Sequence, residues 1–220
     1  MGFVRGRIYL ACLFFLVSGL LPFLPRSLAE TPSLVLRADQ DSYELGRFLQ
    51  ILEDKTLQLT ITDVTSEPLS SAFVRIKETN PNLGLSKSAF WFRFSICSNT
   101  NLPRHTRWFL KLNRKGITDC KLFIPRSATN QFQNTLGWHT VGGRNPSFLE
   151  HQKSLFPLPI TFPLPPLPVE QTTFYVRIYN PDGGLYLPLS IANEDALRDA
   201  LMGKTLWLGI YFGTMLALLF

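Results

Sequence analysis

Apolar and polar residues alternate one by one along three segments of the chain, and this pattern restricts its fold more than any other feature. In Ala89–Ile96 every second residue is Phe or Ile, and Arg107–Leu112 and Thr173–Tyr179 repeat the alternation. Successive side chains of a β-strand point to opposite faces, so the pattern is typical of half-buried strands. Four further segments are strand candidates: Leu34–Leu36, Cys120–Ile124, Leu155–Phe162 and Leu185–Ile191. With Gly, Pro and Asn turns between them, they predict an all-β domain over residues 30–192.

Two segments have helical character, and one is rich in proline. Asp41–Leu52 could hold one or two helical turns. Residues 193–203 predict a juxtamembrane helix with Asn193 as N-cap, because acidic residues follow directly in its first turn. Pro157–Pro168 has six prolines in twelve residues, which predicts an edge strand that runs into a polyproline-like connection.

The first 29 residues predict a secretory signal peptide. Arg5 and Arg7 precede the uncharged, mostly apolar stretch Ile8–Leu21, and small residues allow cleavage before Glu30. The alternative is an uncleaved anchor helix. At about 1.5 Å per residue the stretch would span about 21 Å, which is short of a hydrocarbon core of about 30 Å.

Residues 204–220 predict the start of a first transmembrane helix that is cut off partway. Thr205–Phe220 carries no charge and is apolar on nearly every face, although a full span needs about 20 residues. Gly209, Gly213 and Ala217 recur every four residues, so we expect a helix-packing stripe that lets another helix approach closely. The alternative is a buried C-terminal helix of a soluble domain, which should show one polar face.

The composition excludes two other classes of protein. With 45% hydrophobic and 17% charged residues, the chain is too apolar to be disordered. Half of the net charge of +6 lies in the predicted signal, because the rest of the chain holds 19 basic and 16 acidic residues. No stripe of basic residues interleaved with aromatic ones appears, so we expect no nucleic-acid partner.

Neither metal nor cofactor chemistry is indicated. His105, His139 and His151 lack the spacing of paired metal ligands, and no Asp-rich loop suits calcium. Cys97 and Cys120 are the only cysteines after the signal. Export permits a disulfide between them, and two buried thiols are an equally compatible alternative.

No catalytic motif is present either. The sequence contains no GxSxG, no P-loop and no Cys–His arrangement of a nucleophile. The acidic pairs Glu53-Asp54 and Glu194-Asp195 are adjacent in sequence, so their side chains point apart instead of facing a shared cleft. We therefore expect a protein that is not an enzyme.

A series of motifs resembles a bacterial receptor family. Ser88–Phe94 (SAFWFRF), Phe174–Ile178 (FYVRI) and Leu208–Gly213 (LGIYFG) carry most of the resemblance, which covers about Leu34–Phe220. Further matching segments are Tyr43–Gly46, Leu52–Asp54, Leu57–Val64, Leu83–Leu85, Trp108–Leu112, Leu122–Ile124 and Leu187–Leu189. Together they are similar to the type 2 extracellular domain, and the start of the first membrane helix, of seven-transmembrane receptors with diverse intracellular signalling modules.

The resemblance implies a jelly-roll-like antiparallel β-sandwich, similar to carbohydrate-binding modules. It implies a sensor domain that faces the periplasm or the extracellular side of the inner membrane. In that family a seven-helix unit couples the sensor to intracellular output domains. Because this sequence stops within the first helix, it would carry no output domain.

Candidate ligand-binding residues follow from the chemistry of carbohydrate sites, which use aromatic faces and planar hydrogen-bonding groups. Trp91 and Arg93 share one strand face, as do Tyr175, Arg177 and Tyr179. If the two strands lie in one sheet, these five residues would form a single patch on its non-core side. The structural alternative is that an arginine pairs with a buried acid, or covers an aromatic ring with its stem.

Trp138 is a second candidate, because it lies with His139 in a predicted loop before Gly142-Gly143. Asp54 is one example of a buried acid with which a structural arginine could pair.

These observations predict an extracytoplasmic domain that senses a carbohydrate or another small ligand for a membrane receptor. Its further partners would be the membrane and, through the membrane helix, the rest of the receptor or another subunit. Ligand would shift how Asn193–Met202 packs against the sandwich. The alternative is a non-catalytic structural module that pairs receptor subunits without binding a small ligand. A secreted carbohydrate-active enzyme ranks behind both, because no carboxylate cleft is evident.

Overall fold

The structure is a computed structural model, and it describes residues 32–100, 102–103, 106–114, 116–126, 137–142 and 160–219. In these residues the strands are β1 (Ser33–Leu36), β2 (Ser42–Glu44), β3 (Gln50–Asp54), β4 (Val74–Arg75), β5 (Ala89–Ser98), β6 (Trp108–Leu112), β7 (Asp119–Pro125), β8 (Trp138–Gly142), β9 (Ile160–Pro163), β10 (Thr172–Tyr179) and β11 (Leu189–Asn193). The helices are α1 (Ile61–Thr65) and α2 (Glu194–Leu219), and 3₁₀ turns occupy Gly46–Phe48 and Leu69–Ala72.

The strands form two sheets. The large sheet has the order β4-β3-β5-β10-β7-β8, and the small sheet has the order β2-β11-β6-β9. Neighbouring strands are antiparallel with one exception, because β1 pairs in parallel with the second half of β5. The prediction of a mostly β fold with antiparallel sheets is therefore confirmed. Strand β1 is the exception, because its pairing is parallel.

The main core lies between the two sheets and consists of the alternating apolar residues that the sequence pattern singled out. Phe92, Phe94 and Ile96 of β5 are fully buried there. They belong to the same cluster as Leu110 and Ile191 of the small sheet. The period-two pattern thus arises because one face of each of these strands packs against the opposite sheet.

Asp41–Leu52 holds one helical turn, as predicted, which is the 3₁₀ turn Gly46–Phe48 between β2 and the start of β3. Two sequence-based expectations need correction. The strand expected over Leu185–Ile191 begins only at Leu189. Trp138 lies in strand β8 and not in a loop.

The proline-rich segment follows its prediction where the structure describes it. β9 is the edge strand of the small sheet, and its Pro163 pairs with Phe109. Residues 164–168 after it have no regular secondary structure. The part of the expected strand before Ile160 lies outside the described residues, as do the predicted signal of residues 1–29 and the histidines His105 and His151.

Cys97 and Cys120 are free thiols, so the alternative of two thiols is the correct one. Cys120 belongs to the main core, whereas Cys97 lies on the opposite face of the large sheet. The two side chains therefore point away from each other across the sheet. Burial, together with the neighbouring carboxylate of Asp119, raises the pKa of the Cys120 thiol.

Helix α2 runs without a break through both segments that we predicted at the C-terminus. Asn193 is its N-cap, as predicted, because the Asn193 Oδ1 accepts a hydrogen bond from the Ala196 N–H at 2.9 Å. Within the described part of the chain, we find no helix long and apolar enough to cross a membrane. A Cβ at Gly209 or Gly213 would meet no described atom within 4 Å. The helix-packing role of Gly209, Gly213 and Ala217 stays a prediction.

Candidate functional site

All six predicted ligand-binding residues lie on one face of the large sheet, which we call the outer face because it points away from the main core. Arg93 is directly opposite Tyr175, and Trp91 is directly opposite Arg177, because β5 and β10 are neighbours. On β7 and β8 the same face carries Phe123 opposite Tyr175, Thr140 opposite Phe123, and Trp138. Trp138 therefore belongs to the same surface as the other five residues, and not to a separate loop site.

A segment between β3 and β4 covers much of this face. We call residues 55–73, which contain α1 and the second 3₁₀ turn, the roof. Beneath and within the roof lies a second apolar cluster, the aromatic cluster, made of Val64, Phe73, Trp91, Phe123 and Tyr175. The large sheet thus has apolar residues packed against both of its faces.

Trp91 and Tyr175 are core residues of the aromatic cluster. Trp91 is 1% exposed and its ring centroid lies 5.1 Å from that of Phe123. Tyr175 is buried between Phe73, at 5.9 Å, and Trp138, at 5.1 Å with its ring nearly perpendicular. Neither Trp91 nor Tyr175 has an open face on which a sugar ring could stack in this conformation.

The start of the roof is set by Asp54 at the end of β3. Its carboxylate accepts hydrogen bonds from the N–H and hydroxyl of Thr56, at 3.1 and 2.7 Å, and from the Leu59 N–H at 3.2 Å. These bonds hold the chain in a tight turn at a buried side chain. Asp54 is therefore a turn-forming residue, and the expected pairing of Asp54 with a strand arginine is wrong.

Helix α1 begins with a capping box. The Thr60 Oγ1 accepts from the Asp63 N–H at 3.4 Å, and the Asp63 carboxylate accepts from the Thr60 N–H at 2.8 Å. Two backbone donors of the helix start are thereby satisfied. The short helix places the fully buried Val64 against the aromatic cluster.

Arg93 joins the roof to the sheet. Its Nε donates to the Gln50 Oε1 at 2.7 Å, and one terminal nitrogen donates to the Ser70 carbonyl at 2.9 Å. The guanidinium carbon also lies 4.4 Å from the centre of the Phe73 ring. These contacts give Arg93 a structural role, but through an amide, a carbonyl and the guanidinium face instead of the acid pairing or stem contact expected from the sequence.

Arg177 makes a similar connection at the Asp119 end of β7. One terminal nitrogen lies 3.4 Å from the Asp119 carboxylate, and the other donates to the Leu57 carbonyl at 3.3 Å. The Lys121 ammonium lies 3.6 Å from the same carboxylate oxygen. Arg177 is 14% exposed at its side chain and Lys121 is 38% exposed, so the ammonium is the more accessible cation.

The roof leaves part of the outer face accessible, and we call this part the open strip. It consists of Lys121, Trp138, Thr140 and Tyr179, each of which is half-buried or exposed. They present two aromatic rings, a hydroxyl and an ammonium to solvent. These are the groups that bind the ring faces and hydroxyls of a sugar.

Acid should loosen the roof, because two of its carboxylates are held by hydrogen bonds. Bonds from the Thr60 side chain and backbone lower the pKa of Asp63 from its ordinary value of 3.8. Bonds from the hydroxyls of Ser70 and Ser71 lower the pKa of Glu67 from 4.5. A lowered pKa gives stability that is present above the ordinary pKa and is lost as the pH falls through the folded-state pKa.

We therefore expect hydrogen exchange of roof amides, corrected for the intrinsic rate, to rise between about pH 5 and pH 3. Amides of β5 should keep their protection over this range. The double variant Asp63→Asn, Glu67→Gln should lose this pH dependence of the roof. The same dependence in wild type and double variant would exclude these two carboxylates as its cause.

Several residues of the site were not predicted. Asp119, Lys121 and Phe123 alternate with core residues along β7, so extension of the pattern in Cys120–Ile124 could have placed them on the outer face. Within the roof, one sequence motif predicts local structure: the Thr-x-x-Asp capping box at Thr60, which indicates the start of a helix. No local signal shows that this segment folds back over Trp91.

The comparisons with known proteins describe the fold and the family. No curated protein matches the chain. Among solved structures, the structure of TmCBM61 in complex with beta-1,4-galactotriose is similar, with 10% sequence identity over 70% of this chain and 99% of that chain. Its TM-score is 0.33, which is too low for that binding site to be transferred to this chain.

The family match is the informative one. The family described as 7TMR-DISM extracellular 2 matches residues 46–193, which run from the turn before β3 to the N-cap of α2. The match includes the outer face, the roof and most of the main core, and it agrees with the resemblance seen in the sequence. The chain belongs to the 7TMR-DISM extracellular 2 family, the extracellular sensory domains of seven-transmembrane receptors.

Proposed function

We propose that this protein senses a carbohydrate or another small extracytoplasmic ligand for a bacterial membrane receptor, without catalysing a reaction. The observation that carries the proposal is membership of an extracellular receptor domain family over residues 46–193. Extracellular domains of receptors commonly recognise ligands outside the cell membrane, so membership of this family supports a ligand-sensing role.

The strand order supports a jelly-roll topology for the sandwich. Eight strands make up its two halves, β2-β11-β6-β9 in the small sheet and β5-β10-β7-β8 in the large one. Along the chain these eight strands alternate between the sheets, except for the hairpin β7–β8. This is the connectivity of a jelly roll, an architecture that lectin domains use.

The open strip is the proposed ligand surface. The ring of Trp138 is supported edge-on by Tyr175, which fixes its orientation. A ligand at Trp138 would reach Thr140 on the same strand, while Lys121 supplies a cationic donor on the neighbouring strand β7. Tyr179 supplies the second aromatic ring of the strip, whereas Trp91 and Arg93 hold the roof beside it.

We further propose that residues 204–220 begin the first membrane helix, which places the sandwich on the outer side of the inner membrane. Exposed apolar side chains on this part of α2 support the proposal, among them Trp207, Tyr211 and Phe212. The stripe of Gly209, Gly213 and Ala217 would contact the rest of the receptor or another subunit.

A second candidate function is a structural module that pairs receptor subunits and binds no small ligand. The burial of Trp91 and the internal hydrogen bonds of Arg93 and Arg177 favour it. These three residues stabilise the domain whether or not a ligand binds to the open strip.

A binding screen separates the two functions. The full chain in detergent micelles is titrated calorimetrically with a panel of neutral and acidic oligosaccharides. We expect at least one to bind, and Trp138→Ala to weaken it by about tenfold through loss of the stacking surface. Tyr186→Ala, which removes an exposed aromatic ring outside the outer face, is the matched control and should leave the affinity unchanged.

If no oligosaccharide of the panel binds, the structural module is the better description. If Trp138→Ala and Tyr186→Ala lose the same amount of affinity, the ligand does not bind to the open strip.

A further inference from the structure

Strand β11 continues into helix α2 without an intervening residue. Asn193 is the last residue of the strand, and Glu194 is the first residue of the helix. β11 is a central strand of the small sheet, paired with β2 on one side and β6 on the other. The helix therefore begins where the chain is held by two neighbouring strands.

Asn193 is bonded to the segment before β2 as well as to the helix. Its backbone N–H donates to the Asp41 carbonyl at 2.9 Å, and its side-chain Nδ2 donates to the Asp41 Oδ1 at 2.6 Å. The Asn193 Oδ1 caps the helix through the Ala196 N–H. One buried side chain thus joins the sandwich to the first turn of α2.

Glu194 is bonded to the segment before β6. Its N–H donates to the Arg107 carbonyl at 3.1 Å. Its carboxylate accepts from the Arg107 Nε at 2.8 Å and from a terminal nitrogen at 2.6 Å. An exposed ion pair contributes little stability, but this two-pronged geometry fixes the direction of both side chains.

Beyond these contacts the helix leaves the sandwich. From Arg198 onward, its described side chains are exposed. The direction of α2 is therefore set at its start by Asp41, Arg107, Asn193 and Glu194, which we call the clamp. The expected packing of Asn193–Met202 against the sandwich therefore does not extend to Arg198 and the described residues after it.

We propose that the clamp makes helix α2 a rigid extension of the small sheet, so that a displacement of the small sheet relative to the large sheet moves the helix without a hinge. Hinges lie at residues that absorb changes of backbone angle. Here the two junction residues are bonded on both sides through main chain and side chain, which opposes such changes. The rigid coupling of α2 to the small sheet is a property of the fold and does not depend on which ligand binds.

The test measures the width of a distance distribution between the sandwich and the helix. Spin labels are attached through p-acetylphenylalanine at Thr140 on β8 and Met202 on α2, both of which are exposed. Electron–electron double resonance on the full chain in detergent micelles should give one narrow distribution. The double variant Asp41→Ala, Arg107→Ala should widen it by about twofold or more, because the side-chain bonds of the clamp to both neighbouring segments are lost and only the main-chain bonds remain.

Two single arginine variants form a matched pair. Arg107→Ala and Arg198→Ala each remove an arginine partner of Glu194, but Arg198 is four residues away on the helix itself. The clamp predicts widening for Arg107→Ala and none for Arg198→Ala. Equal widths in the two variants, or no widening in the double variant, would overturn the proposal.

Hydrogen exchange distinguishes loss of the clamp from loss of the cap or of the fold. Asn193→Asp keeps an acceptor for Ala196, but its side chain cannot donate to the Asp41 carboxylate, so it should widen the distribution while the first turn of α2 stays protected. Asn193→Ala should also raise exchange of that turn by about fivefold, as expected for a lost N-cap. Protection of β5 amides in each variant establishes that the sandwich is folded. An unchanged distance distribution in Asn193→Asp with β5 protected would likewise overturn the proposal.

Discussion

Replacement of Gly46 by alanine should destabilise the domain strongly. Gly46 is buried in the 3₁₀ turn before β3, and an added Cβ would lie 1.8 Å from the Thr79 carbonyl oxygen and 2.5 Å from that of Glu78. Both obstacles are main chain, so no side-chain rotation relieves the clash. Overpacking of this kind costs about 3 kcal/mol.

Urea denaturation followed by tryptophan fluorescence measures this loss in the free energy of unfolding. For a domain of this size the melting temperature should fall by about 6–12 °C. Gly184→Ala is the matched control, because its nearest neighbour would be the Gly84 carbonyl oxygen at an ordinary 3.8 Å. The control should change stability by less than about 0.5 kcal/mol. Similar losses in both variants would mean that the close approach of Gly46 to Thr79 does not constrain the fold.

Replacement of Trp91 by alanine should cost about 3–5 kcal/mol, because it empties the centre of the aromatic cluster. The side chain is almost completely buried beneath the roof, in contact with Phe123. Its removal takes away the surface against which the roof packs. Chemical denaturation should therefore show a lower free energy of unfolding, and hydrogen exchange of residues 55–73 should accelerate.

Trp138→Ala is the comparison for this second prediction, since the ring is half-buried and faces the open strip. We expect it to cost about 1–2 kcal/mol, because less apolar surface is buried. If Trp91→Ala costs no more than Trp138→Ala, the aromatic cluster is not a second core. In the oligosaccharide titration the order of the effects should reverse, with the larger loss of affinity for Trp138→Ala.

The strands that could be predicted from sequence share a physical property. β5, β6 and β10 each place one face against the main core, and that face carries an apolar residue at every second position. Buried and half-buried residues alternate along the whole of β6, whereas on β5 the outer-face residues Trp91 and Ser95 are buried as well. The N-cap at Asn193 was equally predictable, because a cap depends on a side chain and the three residues after it. Local chemistry determines both features.

β3 was not predicted as a strand because both of its faces are covered. Ile51 packs against the main core and Leu52 against the aromatic cluster, so the strand shows no alternation of apolar and polar residues. The roof that covers Leu52 also buries Trp91 and Tyr175. The sequence pattern placed these two residues on the non-core face of the sheet, and it gave no sign that this face is covered. A strand pattern indicates which residues share a face, but coverage of that face depends on a segment elsewhere in the chain.

The pairing of β2 with β11 determines when this domain can fold during synthesis. Ser42 pairs with Ala192, so the first strand of the small sheet finds its partner only after almost the whole sandwich has been made. Proteins are synthesised from the N-terminus, and long-range strand pairs close late. Among the strands that the structure describes, β11 is the only neighbour of β2, so β2 stays unpaired in its sheet until β11 is available. Because α2 starts at the residue after β11, completion of the sandwich coincides with the appearance of the helix that leads away from it.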